Sequence, residues 1–353
     1  MARILYGVHG IGHGHGMRAL TIARAFKDHQ FLFLSDGDGQ KLLEHDYQVE
    51  QIPTSGSPAY NHAMPYSRAV SSFFKNRSDK SARVHLKKII GQFSPDLCIC
   101  DYHDASLAIG KTLGIPCITL DHQHVALAKH PNLPWLRKME LALMKIACSI
   151  QFRAADQHAV ISFFRPDSVA KKLKLFQPLL RSEVVEQSVS RRGHVLAYHG
   201  YSTTRHFYAF LARLPYPVIC YGADREEKNG NLWFKRKRTH EFLNDLASAE
   251  FVISSAGHSL LSESLYLNKP IMAFPIRNAA EQYLNGFYLE KLGYGLMNDA
   301  FAPSWSRFER FQKNLDQYRE TIAKNQFNGN QEIFRYLDQL FSASARNGGM
   351  PSP

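Results

Sequence analysis

Apolar residues along this chain fall in short runs of strand length. Ala2–Val8, Phe31–Ser35, Leu97–Asp101 and Cys117–Leu120 are almost continuously hydrophobic, as strands buried on both faces are. Between them, Met17–Lys27, Gln40–Glu44 and Ala105–Leu113 carry helical spacing, and Gln51–Pro53 predicts one more short strand. The pattern then restarts. Gly193–Tyr198, Val218–Tyr221, Phe251–Ser254 and Ile271–Phe274 read as strands, with helices over Arg205–Leu214, Glu241–Ser248 and Leu260–Leu267. Strands alternating with helices predict βαβ units and parallel sheets. The expected fold class is therefore α/β, with two Rossmann-like, doubly wound domains facing a cleft. Their expected bounds are 1–176 and 193–353, joined by the linker 177–192 with its Pro178, serines and Arg191-Arg192. The final helices are placed with the second domain, with the option of packing back on the first. Ligands of such sheets bind at the carboxyl edge of the strands.

Composition narrows the class. The 353 residues carry 43 Lys+Arg against 31 Asp+Glu, a formal charge of +12, which suits an anionic partner. No apolar run approaches the roughly 18–20 residues of a membrane span, and the first residues lack a signal-peptide layout. Five cysteines, three of them in strand-like runs, point to buried thiols in a reducing cytoplasm. Cys98-Ile99-Cys100 is too closely spaced for a zinc site.

The first strand runs into His9-Gly10-Ile11-Gly12-His13-Gly14-His15-Gly16. Glycines at alternate positions permit a tight turn and close approach to a ligand, with a helix expected to begin near Met17. The spacing is not G-x-G-x-x-G, so a dinucleotide fingerprint is absent. Three histidines could suggest a metal, but few carboxylates accompany them. A histidine at a sheet edge is better suited to act as a general base. That role is assigned to His15, and His13 is assigned to capping the helix or lining the loop.

The second informative segment is Phe251–Glu263. Here a strand passes through Ser254-Ser255-Ala256-Gly257-His258-Ser259 into a helix. Backbone N–H groups at such a turn suit a phosphate, and Glu263 could accept from two vicinal hydroxyls. Glu281-Gln282, after the next strand, suits a polyhydroxylated ligand.

Taken together, Gly257, Glu263, Lys269-Pro270, Pro275, Glu281-Gln282, Asn285, Leu289 and Gly293 resemble the donor signature of GT-B glycosyltransferases. They are similar to the plant-type UDP-sugar transferases and to the bacterial N-acetylglucosaminyltransferase that forms lipid II. Gly14-His15 resembles the Gly-His of the same families. The string Gly7-Val8-His9-Gly10 to Arg18, with Asp121-His122-Gln123-His124, is similar to an uncharacterised bacterial and archaeal branch. Arg18 stands where the better-known members have Pro.

The resemblance implies inverting, metal-independent transfer of a hexosyl or N-acetylhexosaminyl group from a UDP-sugar, with no cofactor. It implies His15 as base with Asp101 orienting it and Asp104 as the fallback partner. Gly14, Ser255, Gly257, His258 and Ser259 would serve the donor diphosphate, Glu263 the ribose, and Glu281 and Gln282 the sugar. Arg18, Asp104 and His124 are placed on the acceptor side. The alternatives are a UDP-sugar hydrolase or epimerase, or a sugar-nucleotide binding protein without turnover. Basic residues over Tyr66–Lys88 and the stretch Pro134–Lys138 with Leu141, Leu143, Met144 and Ile146 read either as contact with an anionic membrane or, for the second, as a core helix. The expected partners are a nucleotide-sugar, a glycan or lipid-linked acceptor and no nucleic acid. The expected location is the cytoplasm, with peripheral contact at the inner face of its membrane.

Overall fold

The computed structural model describes residues 1–52, 80–131, 133–199 and 204–347, without the side chains of 80–85, 87, 346 and 347. Most of the basic Tyr66–Lys88 stretch, Arg68, Lys75 and Arg77 included, lies outside the described residues, as does Pro53. Leu180–Asn328 forms one compact unit, and the described residues before and after it form the other.

The first unit is built on strands β1 (Arg3–Val8), β2 (Gln30–Ser35), β3 (Val49–Gln51), β4 (Leu97–Asp101), β5 (Cys117–Asp121), β6 (Gln157–Ile161) and β7 (Leu173–Phe176). They form a parallel sheet in the order β3-β2-β1-β4-β5-β6-β7. Its helices are α1 (His13–Ala25), α2 (Gly37–Leu43), α3 (Lys80–Phe93), α4 (Asp104–Thr112) and α5 (Trp135–Gln151). Along β1, Ile4, Tyr6 and Val8 pack with α1, while Leu5 joins Leu32, Cys98 and Leu107 on the opposite face. Both faces being apolar explains why these strands read as continuous hydrophobic runs.

The second unit opens with the short helix α6 (Ser182–Val185). Its strands are β8 (Val195–Tyr198), β9 (Val218–Tyr221), β10 (Glu227–Asn229), β11 (Leu232–Phe234), β12 (Val252–Ser254), β13 (Ile271–Ala273) and β14 (Gly295–Met297). Their order is β10-β11-β9-β8-β12-β13-β14, parallel except for the edge strand β10. Helices α7 (Arg205–Ala212), α8 (Thr239–Ser248), α9 (His258–Tyr266), α10 (Ala280–Lys291), α11 (Trp305–Lys313) and α12 (Leu315–Ala323) surround it.

One expectation about the chain's division changes, and the option left open for its last helix is the one taken. Residues 180–192 are not a free linker. Leu180, Arg181 and Val184 are buried, and Ser190 and Arg192 hydrogen-bond to the end of α8 through the carbonyls of Ala247 and Ser248. The last helix, α13 (Asn330–Asn347), belongs to the first unit, where Ile333, Leu337 and Phe341 share a core with Ile4, Phe31 and Phe33. Helices α11 and α12 stay with the second unit through Phe308, Phe311 and Tyr318.

In each sheet the chain reverses its direction of winding once, between β1 and β4 and between β8 and β12. Crevices for ligands form at such switch points. The two motif-bearing loops leave β1 and β12 there.

Candidate functional site

At the first switch point, Val8 at the end of β1 pairs with Asp101 at the end of β4. Helix α1 starts at His13, four residues earlier than its glycines suggested. Gly12, at φ 84°, supplies the turn, and its N–H donates to Asp38 Oδ2 at 3.1 Å. Starting there puts His15 and Arg18 three residues apart on one helical face, and both reach Asp101. His15 Nδ1 lies 2.6 Å from Asp101 Oδ1. Arg18 donates from Nε to Oδ2 at 2.6 Å and from Nη2 to Oδ1 at 2.8 Å.

Asp101 is wholly buried. Burial alone would raise its pKa, but the Arg18 charge and His15 outweigh burial and hold the carboxyl down at about 2. An ionised carboxylate only accepts, so Nδ1 carries a proton, and in the neutral ring the lone pair is on Nε2. The Gln123 amide nitrogen lies 3.4 Å from that Nε2. His9, its ring 5.0 Å from His15, is kept neutral mainly by burial, with His15 and His103 adding to the effect. A histidine oriented by a carboxylate, its second nitrogen met by the long contact with the Gln123 amide, is an arrangement suited to proton abstraction once an acceptor displaces that amide.

The glycine loop itself is packed. A Cβ on Gly10 would fall 1.8 Å from Asp36 Oδ1, and one on Gly16 would fall 2.9 Å from Leu42. Gly10 seats the loop on the start of α2, and Gly16, inside α1, lets that helix pack against Leu42 near the end of α2. His124 is also internal. It is fully buried, bonded through Nδ1 to Asp121 Oδ2 at 2.7 Å and stacked on His158 at 4.6 Å, so its side chain reaches no surface on the acceptor side. Asp104 opens α4, and Asp101 is the carboxylate paired with His15. Among the described residues no three His, Cys, Asp or Glu gather as a metal site. All five cysteines are free thiols in the interior.

At the second switch point, β12 ends in Ser254 and the chain turns through Ser255, Ala256 and Gly257 into α9. No side chain caps α9, and no acidic residue stands in its first turn. Its N-terminal N–H groups therefore present an uncompensated positive end. Gly257 has an ordinary φ of −71°, and a Cβ there would meet nothing within 4 Å. Neither backbone nor packing demands a glycine, and the space over the turn is open.

Ser255 is nearly buried, Ser259 half-buried. The His258 ring is buried with Nε2 3.3 Å from Ser262 Oγ, so this residue offers the site its N–H, not its ring. Buried Asn285 on α10 donates to the Ala256 carbonyl at 2.9 Å and to Glu281 Oε1 at 2.8 Å, tying Glu281 to the turn. Gln282 accepts from the Ile276 N–H at 3.0 Å and so shapes the preceding loop. Glu263 is held by Arg181, which the sequence did not single out. The two lie 82 positions apart, and no motif links them.

Comparison with known proteins bears on both sites. The family described as Glycosyl transferase family 1 matches residues 2–316. The chain is 22% identical to an uncharacterized glycosyltransferase of Methanosarcina mazei, over 92% of this chain and 93% of that one. In structure it is similar to UDP-glucose: anthocyanidin 3-O-glucosyltransferase in complex with UDP, with a TM-score of 0.68 at 13% identity, covering 97% and 99% of the two chains. It is also similar to Acinetobacter baumannii MurG, with a TM-score of 0.61 at 16% identity, covering 96% and 100%. The two parallel sheets thus have the GT-B architecture, and the chain belongs to glycosyl transferase family 1 as a GT-B glycosyltransferase.

Proposed function

We propose that this glycosyltransferase moves a hexosyl or N-acetylhexosaminyl group from a UDP-sugar to a hydroxyl acceptor, with inversion and without a metal ion. The observation that carries this is the 2.6 Å contact between His15 Nδ1 and ionised Asp101, which leaves Nε2 as a base. Nε2 takes the acceptor proton as its oxygen attacks the anomeric carbon from the face opposite the leaving group. The bond from that carbon to the diphosphate breaks, and its electron pair departs with the diphosphate. N–H groups of the Ser255–Ser259 turn and the α9 terminus meet the developing charge. Glu263 takes the ribose hydroxyls, and Glu281 and Gln282 the sugar. The test follows UDP release from a panel of UDP-sugars, with and without acceptor and EDTA. Release only with acceptor and undiminished by EDTA supports the reading. Release without acceptor points to hydrolysis, and loss under EDTA restored by magnesium or manganese points to a metal.

A lipid-linked acceptor is favoured by a specific surface. Helix α5 is half a core helix: Cys148 is buried and Leu141 and Met144 turn partly inward. Its other face carries Trp135, Leu136, Met139, Leu143, Ile146 and Ile150, each at least 50% exposed. Lys138 and Lys145 are exposed along one edge of this stripe. An apolar stripe edged by lysines on a chain of charge +12 complements an anionic bilayer. A second copy docked face to face would bring these lysines together. Among the described residues no helix is long and apolar enough to cross a membrane. The reading predicts sedimentation with vesicles containing phosphatidylglycerol but not with pure phosphatidylcholine, lost in Leu143→Glu/Ile146→Glu. A change of molecular mass in that variant would assign the stripe to self-association instead.

A further inference from the structure

A carboxylate that recognises two vicinal hydroxyls must hold both oxygens in one fixed plane. Glu263 has three rotatable side-chain bonds and cannot do this alone. Arg181 Nε donates to Oε1 at 2.8 Å and Arg181 Nη2 to Oε2 at 3.0 Å, a side-on fork that fixes the carboxylate plane. The side chains are 8% and 12% exposed, so the pair is mostly removed from water while an edge of the carboxylate stays accessible. The fork uses one lone pair on each oxygen and leaves one on each for an incoming donor. Stability is a weak reason for such a pair, because an apolar pair of similar volume in its place is often no less stable.

Arg181 is itself well anchored. It caps α6, its carbonyl accepting from the Val184 N–H at 3.1 Å, and Val184 is fully buried. The guanidinium therefore comes from a fixed backbone. Both partners lie in the second unit, so this pairing is a property of that unit by itself.

We infer that Arg181 is the positioning residue of the nucleotide site, holding Glu263 so that its remaining lone pairs accept the ribose 2′- and 3′-hydroxyls. The inference rests on the proposed UDP-sugar reading. It makes discrimination between ribose and deoxyribose depend on a residue that does not touch the sugar. Lysine cannot replace the arginine, because an ammonium is a point charge that does not fix the plane.

The experiment measures the Kd of UDP and of 2′,3′-dideoxy-UDP by calorimetry, on the full chain and on Arg181→Gln, Arg181→Lys and Glu263→Gln. The wild type should prefer UDP by about tenfold or more, the worth of a charge-assisted hydrogen bond. In Arg181→Gln and Arg181→Lys the UDP affinity should fall toward that of the dideoxy analogue, whose own Kd should stay within about twofold. With saturating acceptor, the donor KM should rise while kcat holds. Equal weakening of both nucleotides would mean that Arg181 contacts the diphosphate or only supports the fold, and would overturn the inference. So would preserved discrimination in both variants. If Arg181→Gln fails to fold, Arg181→Lys, which keeps the charge, decides by the same ratio. A wild type that binds neither nucleotide, or binds both equally, refutes the ribose reading itself and is distinguishable from failure of Arg181 alone.

Discussion

At Gly10 an added methyl group would collide with Asp36, whereas at Gly257 it would meet open space. The first glycine is a packing requirement and the second is not, so the two substitutions should separate. Gly10→Ala should destabilise the first unit by at least the roughly 1–3 kcal/mol of an overpacked site. Gly257→Ala should leave the melting temperature unchanged and weaken UDP binding about tenfold or more, the added methyl occupying the space where the diphosphate approaches the turn. Normal UDP affinity in Gly257→Ala would remove the diphosphate from this turn.

Asp101 makes a second residue-scale prediction. Its pKa is depressed from the ordinary 3.8 to about 2. A depressed acid stabilises the fold above its unfolded pKa, and that stabilisation is lost as pH falls through the folded value. The shift corresponds to about 2.5 kcal/mol, present at pH 5 and gone near pH 2. Asp101→Asn also leaves Arg18 buried without its counter-charge, at about 3–5 kcal/mol. Denaturant midpoints should therefore show the largest gap between wild type and variant near pH 5, narrowing toward pH 2. A gap independent of pH would mean that Asp101 is not the ionised centre of this cluster.

Among the elements, local hydrophobic runs foretold β1, β4, β5, β8, β9 and β12, because strands buried on two faces leave little choice of residue. They foretold the start of α1 poorly. Gly14 and Gly16 look like loop residues, yet both lie inside α1, and Gly16 is a glycine there because a Cβ would fall 2.9 Å from Leu42 Cδ2. Residue 329 onward was harder still. Helix α13 is amphipathic, but nothing local says that Ile333, Leu337 and Phe341 complete the core beside β1 and β2. The same distance hid Arg181 from Glu263, while the link from Asp101 to His15 could be placed only through the family resemblance. A direct consequence concerns α13. Leu337→Ala should cost about 2–5 kcal/mol as a fully buried truncation. Because α13 belongs to the first unit, UDP bound to the second should not recover that loss beyond its ordinary mass-action stabilisation. Calorimetry with and without UDP tests this, and an unchanged wild-type transition would place α13 outside the cooperative core.

For the molecule as a whole, the proposed chemistry is divided. The cluster of His15, Asp101 and Arg18, proposed to supply the base, lies in the first unit, and the turn, Glu263 and Arg181, proposed to hold the donor, lie in the second. Each half of the reaction can then be removed without the other. His15→Ala should lower kcat by about 10²–10⁴-fold, the usual worth of a general base. Its UDP Kd should hold, since the proposed donor contacts lie in the second unit, while its melting temperature should fall modestly, because the largely buried ring helps to keep Asp101 ionised. Asp101→Asn should lose part of the same rate, and His15→Ala/Asp101→Asn little more than His15→Ala, because residues acting as a unit are not additive. Gly257→Ala should show the converse pattern, a weakened donor Kd with kcat largely recovered at saturating donor. A His15→Ala variant with near-normal kcat would refute the base. One with weakened UDP binding and intact kcat would move His15 to the donor side, reversing the division of labour.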